Sequence, residues 1–115
     1  MKTVVVVVSF ALALGSACPG QAGYYTGNEM LKMCLDRKDD LEFGTCTGFV
    51  AALGGIIGCE EGGYVGSSGA SVPSGVTLGQ LKKVAIKWME AHPEQLHHDA
   101  ADLMGKAFQD AFPCS

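Results

Sequence analysis

The sequence predicts an all-α fold, a small antiparallel bundle of about four helices stapled by disulfides. Apolar residues recur at three- and four-residue spacing in four segments, which is the period of a helix that packs on one face. Short or glycine- and proline-marked connections separate these segments and favour antiparallel neighbours. A single short domain buries a modest core, so the disulfides that its cysteines offer matter for stability.

The first two helices are placed by their caps and apolar spacing. The first spans about residues 26–35, with Thr26 or Asn28 as the residue that caps its exposed amides. The second spans about residues 41–58 and follows a charged turn that we interpret as a solvated linker. Glycines weaken this second helix, and we expect them to allow close packing of a neighbouring helix. They are Gly44, Gly48, Gly54 and Gly55.

The third helix has the clearest start signal. Thr77 and Gln80 form a capping-box pattern, and Pro93 ends the helix. We expect three lysines to lie outside its apolar face: Lys82, Lys83 and Lys87. The fourth helix starts near His98 or Asp99 and stops before Pro113.

Residues 1–22 have the order of a cleaved secretory signal peptide. Lys2 supplies the positive start, an apolar stretch follows over residues 4–14, and small residues come next. This apolar stretch is too short for a membrane-spanning helix, which needs roughly 20 residues. Lipid attachment at Cys18 is disfavoured, because Gly15 occupies a position where a Leu-like residue is usual. We expect cleavage after Ala22, with cleavage after Ala17 as the alternative, and a domain over residues 23–115.

Four cysteines remain in the mature domain: Cys34, Cys46, Cys59 and Cys114. An even number of cysteines in a short exported chain favours two disulfides, and no pair has the spacing of zinc ligands. Antiparallel neighbouring helices would bring Cys34 near Cys46 and leave Cys59 for Cys114. This pairing is a hypothesis, since four cysteines allow three connectivities.

The sequence has no recognisable catalytic arrangement. Disulfides would consume the thiols, and His92, His97 and His98 lie close to one turn. His97 and His98 are adjacent, so on a helix their side chains would diverge by about 100° rather than share a metal. The 12 acidic side chains outnumber the 8 basic ones, which argues against nucleic acid and against insertion into anionic membrane. We expect a binding protein that is not an enzyme and has no cofactor or metal.

A glycine- and serine-rich segment over residues 60–75 is predicted to be a flexible loop. This loop and the turn before the fourth helix are the candidate partner-binding surface. Acidic and aromatic side chains there suit a small interface with a polar rim. The candidate contact residues are Glu60, Glu61, Tyr64, His97 and His98.

Five motifs in this order resemble the Rap/Tai family of type VI secretion immunity proteins. One of them is similar to that family's Pro-x-Gly-Val-Thr-x-Gly-Gln stretch. The motifs are residues 26–34, 46–50, 72–81, 88–93 and 111–114. The resemblance has one departure. The family commonly has a cysteine two residues before the proline of the third motif, whereas this sequence has Ser71 there and carries Cys59 upstream.

The resemblance implies a periplasmic, mostly helical protein that often forms a homodimer. Such a protein binds a peptidoglycan amidase effector injected by sister cells and occludes its active-site groove, so that the producer's wall is not cut. Two alternatives come from other classes. One is a periplasmic acid-stress chaperone-like helical protein, and the other is an envelope binding module that has lost its amidase partner.

Overall fold

The computed structural model describes residues 24–59 and 69–115. Within these ranges it has four α-helices and no strand: α1 Gly27–Leu35, α2 Asp40–Ile56, α3 Leu78–Ala91 and α4 Ala100–Ala111. One 3-10 turn, Pro93–Gln95, connects α3 to α4. The all-α prediction is confirmed, and the helix ends differ from those expected by up to two residues. The expected signal peptide, residues 1–22, lies outside the described residues.

The connection between α1 and α2 is the expected solvated turn, and it has hydrogen bonds of its own. Thr26 caps α1 by accepting a hydrogen bond from the Glu29 N–H, and Asp39 caps α2 by accepting from two backbone N–H groups. The Asp36 carboxylate accepts from the Lys38 N–H at 3.0 Å and the Asp39 N–H at 3.2 Å. These bonds lower the pKa of Asp36. The Asp36 carboxylate at the start of the turn and the Asp39 carboxylate at its end therefore both stabilise it.

The start of α3 has the capping box that its sequence predicts. The Thr77 hydroxyl accepts from the Gln80 N–H at 3.1 Å, and the Gln80 side chain accepts from the Thr77 N–H at 2.7 Å. The N-cap of α4 differs, because the Asp99 side chain makes no capping bond. Backbone pairing with the start of α1 takes its place, as described below.

The four helices share one core. α3 packs extensively on α4 and on α2, and α1 packs on α2. The largest fully buried side chains come from all four helices: Phe108, Met30, Met89, Leu103, Met104, Val50 and Cys46. Complete burial of a side chain of this size stabilises the fold by about 1.5–3 kcal/mol. No helix among the described residues is long and apolar enough to cross a bilayer.

Two disulfides link the helix ends in the expected pairing. Cys34 of α1 is bonded to Cys46 of α2, with their Cα atoms 5.1 Å apart. Cys59, beyond the end of α2, is bonded to Cys114, beyond the end of α4, with a Cα separation of 5.7 Å. The cysteine that departs from the family pattern therefore has a partner in this chain.

Residues 69–75, the described part of the predicted loop over residues 60–75, form neither helix nor strand and are attached to the bundle. The Ser71 N–H donates to the Phe112 carbonyl at 2.8 Å, and Ala70 is buried. A Cβ atom on Gly69 would come within 2.7 Å of the Gly58 carbonyl oxygen and 3.2 Å of the Cys114 sulfur. The disulfide draws these segments together, and a glycine at 69 permits the close approach.

The glycines of α2 only partly fulfil the expected packing role. A Cβ on Gly54 would meet the Leu81 side chain of α3 at 2.5 Å, whereas Gly44, Gly48 and Gly55 have nothing within 4 Å. Most of the helical glycines therefore face away from the bundle. Close packing inside this chain accounts for Gly54 alone.

Candidate functional site

His97 and His98 lie in the turn between the 3-10 turn and α4, and both side chains are exposed. Their ring centres are 4.1 Å apart and the ring planes are tilted by 36°. The expected divergence of about 100° is therefore wrong, because it applies to neighbours inside a helix and these residues precede α4. The two rings form one small aromatic surface.

The start of α1 supports this turn from behind. The Gly27 N–H donates to the His98 carbonyl at 2.9 Å, and the Asn28 N–H donates to the Leu96 carbonyl at 2.8 Å. Thr26 forms an isolated antiparallel bridge with Asp99. A Cβ on Gly27 would lie 3.0 Å from the Leu96 carbonyl oxygen, so only glycine fits without a shift. Hydrogen bonds from the start of α1 therefore hold the backbone that carries His97 and His98.

The other three predicted contact residues are not placed by the structure. Glu60, Glu61 and Tyr64 lie outside the described residues. The segments that lead into and out of their loop meet at the Cys59–Cys114 disulfide, beyond the C-terminal end of α4. His97 and His98 precede the N-terminal end of this helix, which is about 18 Å long. The histidines and the base of the loop are therefore at opposite ends of α4.

A Trp–His pair lies at the end of α3. The Trp88 and His92 rings stack with centres 3.9 Å apart and planes 18° from parallel. The Trp88 indole N–H donates to Asp110 of α4 at 2.8 Å. The His92 Nδ1 lies 2.7 Å from the Trp88 carbonyl, which can only accept, so Nδ1 carries the proton. The i, i+4 spacing of these two residues in the sequence is the signal for this stack.

We expected Lys82 to lie outside the apolar face of α3, and this prediction is wrong. It is 8% exposed and reaches across to α2. Its ammonium donates to the Thr47 hydroxyl at 3.0 Å and lies 3.1 Å from the centre of the Phe43 ring. Burial lowers the pKa of Lys82, and the nearby positive charge of Arg37 lowers it further. The charge is stabilised by a hydroxyl and an aromatic face instead of a carboxylate.

A shallow groove between α1 and α3 was not foreseen from the sequence. Its lining comes from the end of α1, the following linker and one face of α3. The lining residues are Leu35, Arg37, Lys83, Ile86, Lys87, Glu90 and Ala91. The i, i+3, i+4 spacing of the α3 members was visible in the sequence, but their apposition to Leu35 and Arg37 was not. We refer to these seven residues as the basic groove.

The described part of the chain has no group of three histidine, cysteine or acidic side chains arranged to hold a metal. His97 and His98 offer a polar, aromatic contact surface. Three surfaces of the disulfide-linked bundle are candidates for partner binding. They are the turn that carries His97 and His98 (the histidine turn), the basic groove, and the exposed face of α2 that carries Gly44, Gly48 and Gly55 (the outer face of α2).

The region that carries these surfaces is similar to a known protein family. The family model of the Rap1a immunity proteins matches residues 26–114 of the chain. This match begins at the cap of α1 and ends at Cys114 of the second disulfide, so it includes all four helices. A search of curated proteins finds no match. The chain belongs to the Rap1a family of immunity proteins.

Proposed function

We propose that this protein is a periplasmic immunity protein that binds and inhibits a peptidoglycan amidase effector of type VI secretion. The match to the Rap1a immunity family over residues 26–114 is the observation that carries the proposal. The identity of the effector as an amidase rests on the resemblance of the sequence motifs to the Rap/Tai family. Binding the amidase would protect the producer's cell wall from its own and its neighbours' effector.

We infer that the protein acts by binding and not by catalysis. The four cysteines of the described chain are held in disulfides. The Nδ1 of His92 donates to the Trp88 carbonyl, which commits this imidazole to the helix end. His97 and His98 are exposed and therefore free to contact a partner. Nucleophilic catalysis needs a nucleophile beside an oriented base, and the described side chains offer binding surface instead.

The proposed amidase contacts include the histidine turn. His97 and His98 combine two neighbouring, tilted rings with hydrogen-bonding nitrogens, which suits a small aromatic anchor of an interface. Glu60, Glu61 and Tyr64 remain proposed contacts from the loop that the disulfide closes. Because the two groups lie at opposite ends of α4, we expect them to contact separate parts of the amidase.

Export to the periplasm is supported by the two disulfides, which persist in oxidising compartments. The proposed signal peptide over residues 1–22 would direct this export. N-terminal sequencing of protein recovered from the periplasm should begin at Gly23.

The direct test is protection from lysis. Amidase effectors of type VI secretion, including any encoded beside this gene, would be expressed in the periplasm of a host with and without this protein. We expect co-expression to prevent lysis by one of them, and the purified pair to form a complex that lacks amidase activity. A version that begins at residue 23 stays in the cytoplasm and should not protect. Lysis that co-expression relieves in no case would refute the proposal.

We also propose a homodimer formed through the outer face of α2. Leu41 is 79% exposed and Ile56 is 51% exposed at the two ends of this face. Between them the exposed residues of α2 are all glycine or alanine: Gly44, Gly48, Ala51, Ala52 and Gly55. An exposed helix face without charged side chains is expected to be covered by a partner. A second copy offers the same uncharged face, so the two could pack without burying a charge.

Sedimentation equilibrium tests the dimer. We expect wild-type protein to be dimeric and Ala52→Glu to be monomeric, because the substitution places a charge in the uncharged face. Ala111→Glu, an exposed position at the end of α4, is the matched control and should remain dimeric. A monomeric wild-type protein would contradict this assignment and leave the immunity function untouched.

A further inference from the structure

The basic groove is an open depression of about 560 Å³ on the outside of the bundle. Five of its lining residues follow one face of α3 over residues 83–91, a length of about 12 Å. Leu35 and Arg37 form the opposite side at the end of α1. An elongated, open depression of this size fits a short stretch of polypeptide better than an enclosed small molecule.

The groove has an apolar part, here called the apolar strip, with Leu35 on the α1 side and Ile86 and Ala91 on the α3 side. Leu35 is 53% exposed, Ile86 is half-buried and Ala91 is exposed. An aliphatic or aromatic side chain laid on this strip would remove apolar surface from water. This is the arrangement of an interface anchor surrounded by polar groups.

Charge around the strip is positive although the protein is acidic. The groove holds three of the eight basic residues of the sequence and only one of the twelve acidic residues. Arg37 also acts unfavourably on the buried charge of Lys82. Gathering like charges costs stability in the free protein, and a bound anionic group offsets that cost.

We propose that the basic groove binds an acidic segment of the effector, with one apolar side chain on the strip of Leu35, Ile86 and Ala91 and carboxylates facing Arg37, Lys83 and Lys87. This inference rests on the proposed function and adds a contact surface to it. The end of the groove at Ala91 leads directly into the turn that carries the histidines, so both surfaces lie towards the same end of α3.

An acidic polypeptide uses both properties of the groove. A free phosphate would pair with the cations and leave the apolar strip exposed. The 12 acidic residues of the chain oppose an anionic membrane or nucleic acid, which would cover far more surface than this groove. Charge and apolar strip together favour a protein segment.

The test measures affinity for the purified amidase against which wild-type protein protects. We expect Lys87→Glu to weaken binding by about tenfold or more, because it replaces attraction by repulsion at the groove. Lys106→Glu makes the same charge change on α4, outside the groove, and should bind within about twofold of wild type. Added salt should weaken wild-type binding more than binding of the Lys87→Glu variant.

The apolar strip has its own matched pair. Leu35→Ser should weaken amidase binding, whereas Leu78→Ser, at a position that is 41% exposed and outside the groove, should not. Unchanged circular dichroism and unfolding midpoints would show that all four variants fold. If Lys87→Glu and Leu35→Ser both bound the amidase with wild-type affinity, the proposed binding role of the groove would be refuted. The immunity function would be unaffected by that result. A wild-type protein that binds no amidase overturns both.

A photo-crosslinking amino acid at Ala91 identifies the occupant. We expect crosslinks to an amidase peptide with several aspartate or glutamate residues. Crosslinks to a second copy of this chain, or to an amidase peptide without acidic residues, would overturn the assignment.

Discussion

Lys82 is buried because two features of α2 meet its long side chain. The aliphatic part covers apolar surface between α2 and α3, while the ammonium reaches the Thr47 hydroxyl and the Phe43 ring. The Thr47 hydroxyl donates in turn to the Phe43 carbonyl at 2.9 Å. This connected set ties the two helices together at a position where a periodic pattern would place a solvated lysine.

Replacing Lys82 by Met tests the cost of the buried charge. Because burial lowers its pKa below the ordinary 10.5, the unfolded chain binds more protons than the folded chain between the two values. Stability should therefore rise as pH increases through the lowered pKa and level off above 10.5. We expect Lys82→Met to lack this rise when free energies of unfolding are compared across alkaline pH. Lys83→Met, at an exposed neighbour, should retain it, and parallel curves for wild type and Lys82→Met would contradict the interpretation.

At Gly27 an added methyl group would meet backbone as well as a side chain. A Cβ there would lie 2.4 Å from a Leu103 methyl carbon and 3.0 Å from the Leu96 carbonyl oxygen. We expect Gly27→Ala to destabilise the fold by about 1–3 kcal/mol in urea unfolding. Gly75→Ala, where a Cβ meets nothing within 4 Å, is the control. Equal stability of the two variants would mean that the turn can move aside.

At the scale of the element, α2 combines a buried side with an outer face of small residues. Cys46, Val50 and Leu53 fill the core, whereas its outer glycines weaken the helix without packing on any residue that the structure describes. A helix built in this way depends on tertiary contacts for its stability. The small outer residues fit a covering partner, which is why we place the dimer there.

Gly48→Ala measures how much the outer glycines cost. We expect this variant to be about 1 kcal/mol more stable than wild type, because Ala favours the helix and the site is open. Gly54→Ala gains the same helix preference but meets the Leu81 side chain, so its net gain should be smaller. Thermal unfolding at low protein concentration keeps dimer formation out of the comparison. Greater stabilisation by Gly54→Ala would reverse our account of the two sites.

At the scale of the whole molecule, two disulfides stabilise a small core. One closes a short stretch of chain, and the other closes a long stretch. Cys34–Cys46 closes 12 residues of separation and Cys59–Cys114 closes 55. The long link holds the end of α2, the residues around Ala70 and the C-terminus in one place. It also brings together the two ends of the loop that carries Glu60, Glu61 and Tyr64.

Removing the long-range link should cost more than removing the local one. By chain entropy we expect about 4 kcal/mol for Cys59→Ser with Cys114→Ser, and about 3 kcal/mol for Cys34→Ser with Cys46→Ser. Denaturant unfolding of the two double variants measures both values. A larger loss from the Cys34–Cys46 pair would show that packing between α1 and α2, rather than loop closure, sets the contribution of the disulfides.

Much of the fold followed from local patterns. Apolar spacing located the four helices, and the Thr77–Gln80 capping box depends only on residues three apart. The disulfide pairing followed from the order of the helices and their cysteines. The ordered motifs also carried the family, since a family model reads the same local patterns over residues 26–114.

The sequence by itself determined the four helices, the capping box of α3 and the immunity family, because each depends on residues near in the chain or on their order. It favoured the cysteine pairing, which the bundle then fixed. Only the tertiary structure decided that Lys82 is buried and that Arg37 faces Lys83 and Lys87 across a groove. These features depend on which helix faces meet, and helical periodicity describes one helix without naming its neighbour. Cys59 shows what the sequence and the tertiary structure each contribute. It departs from the family pattern, and the bundle brings it to Cys114 because the ends of α2 and α4 lie side by side.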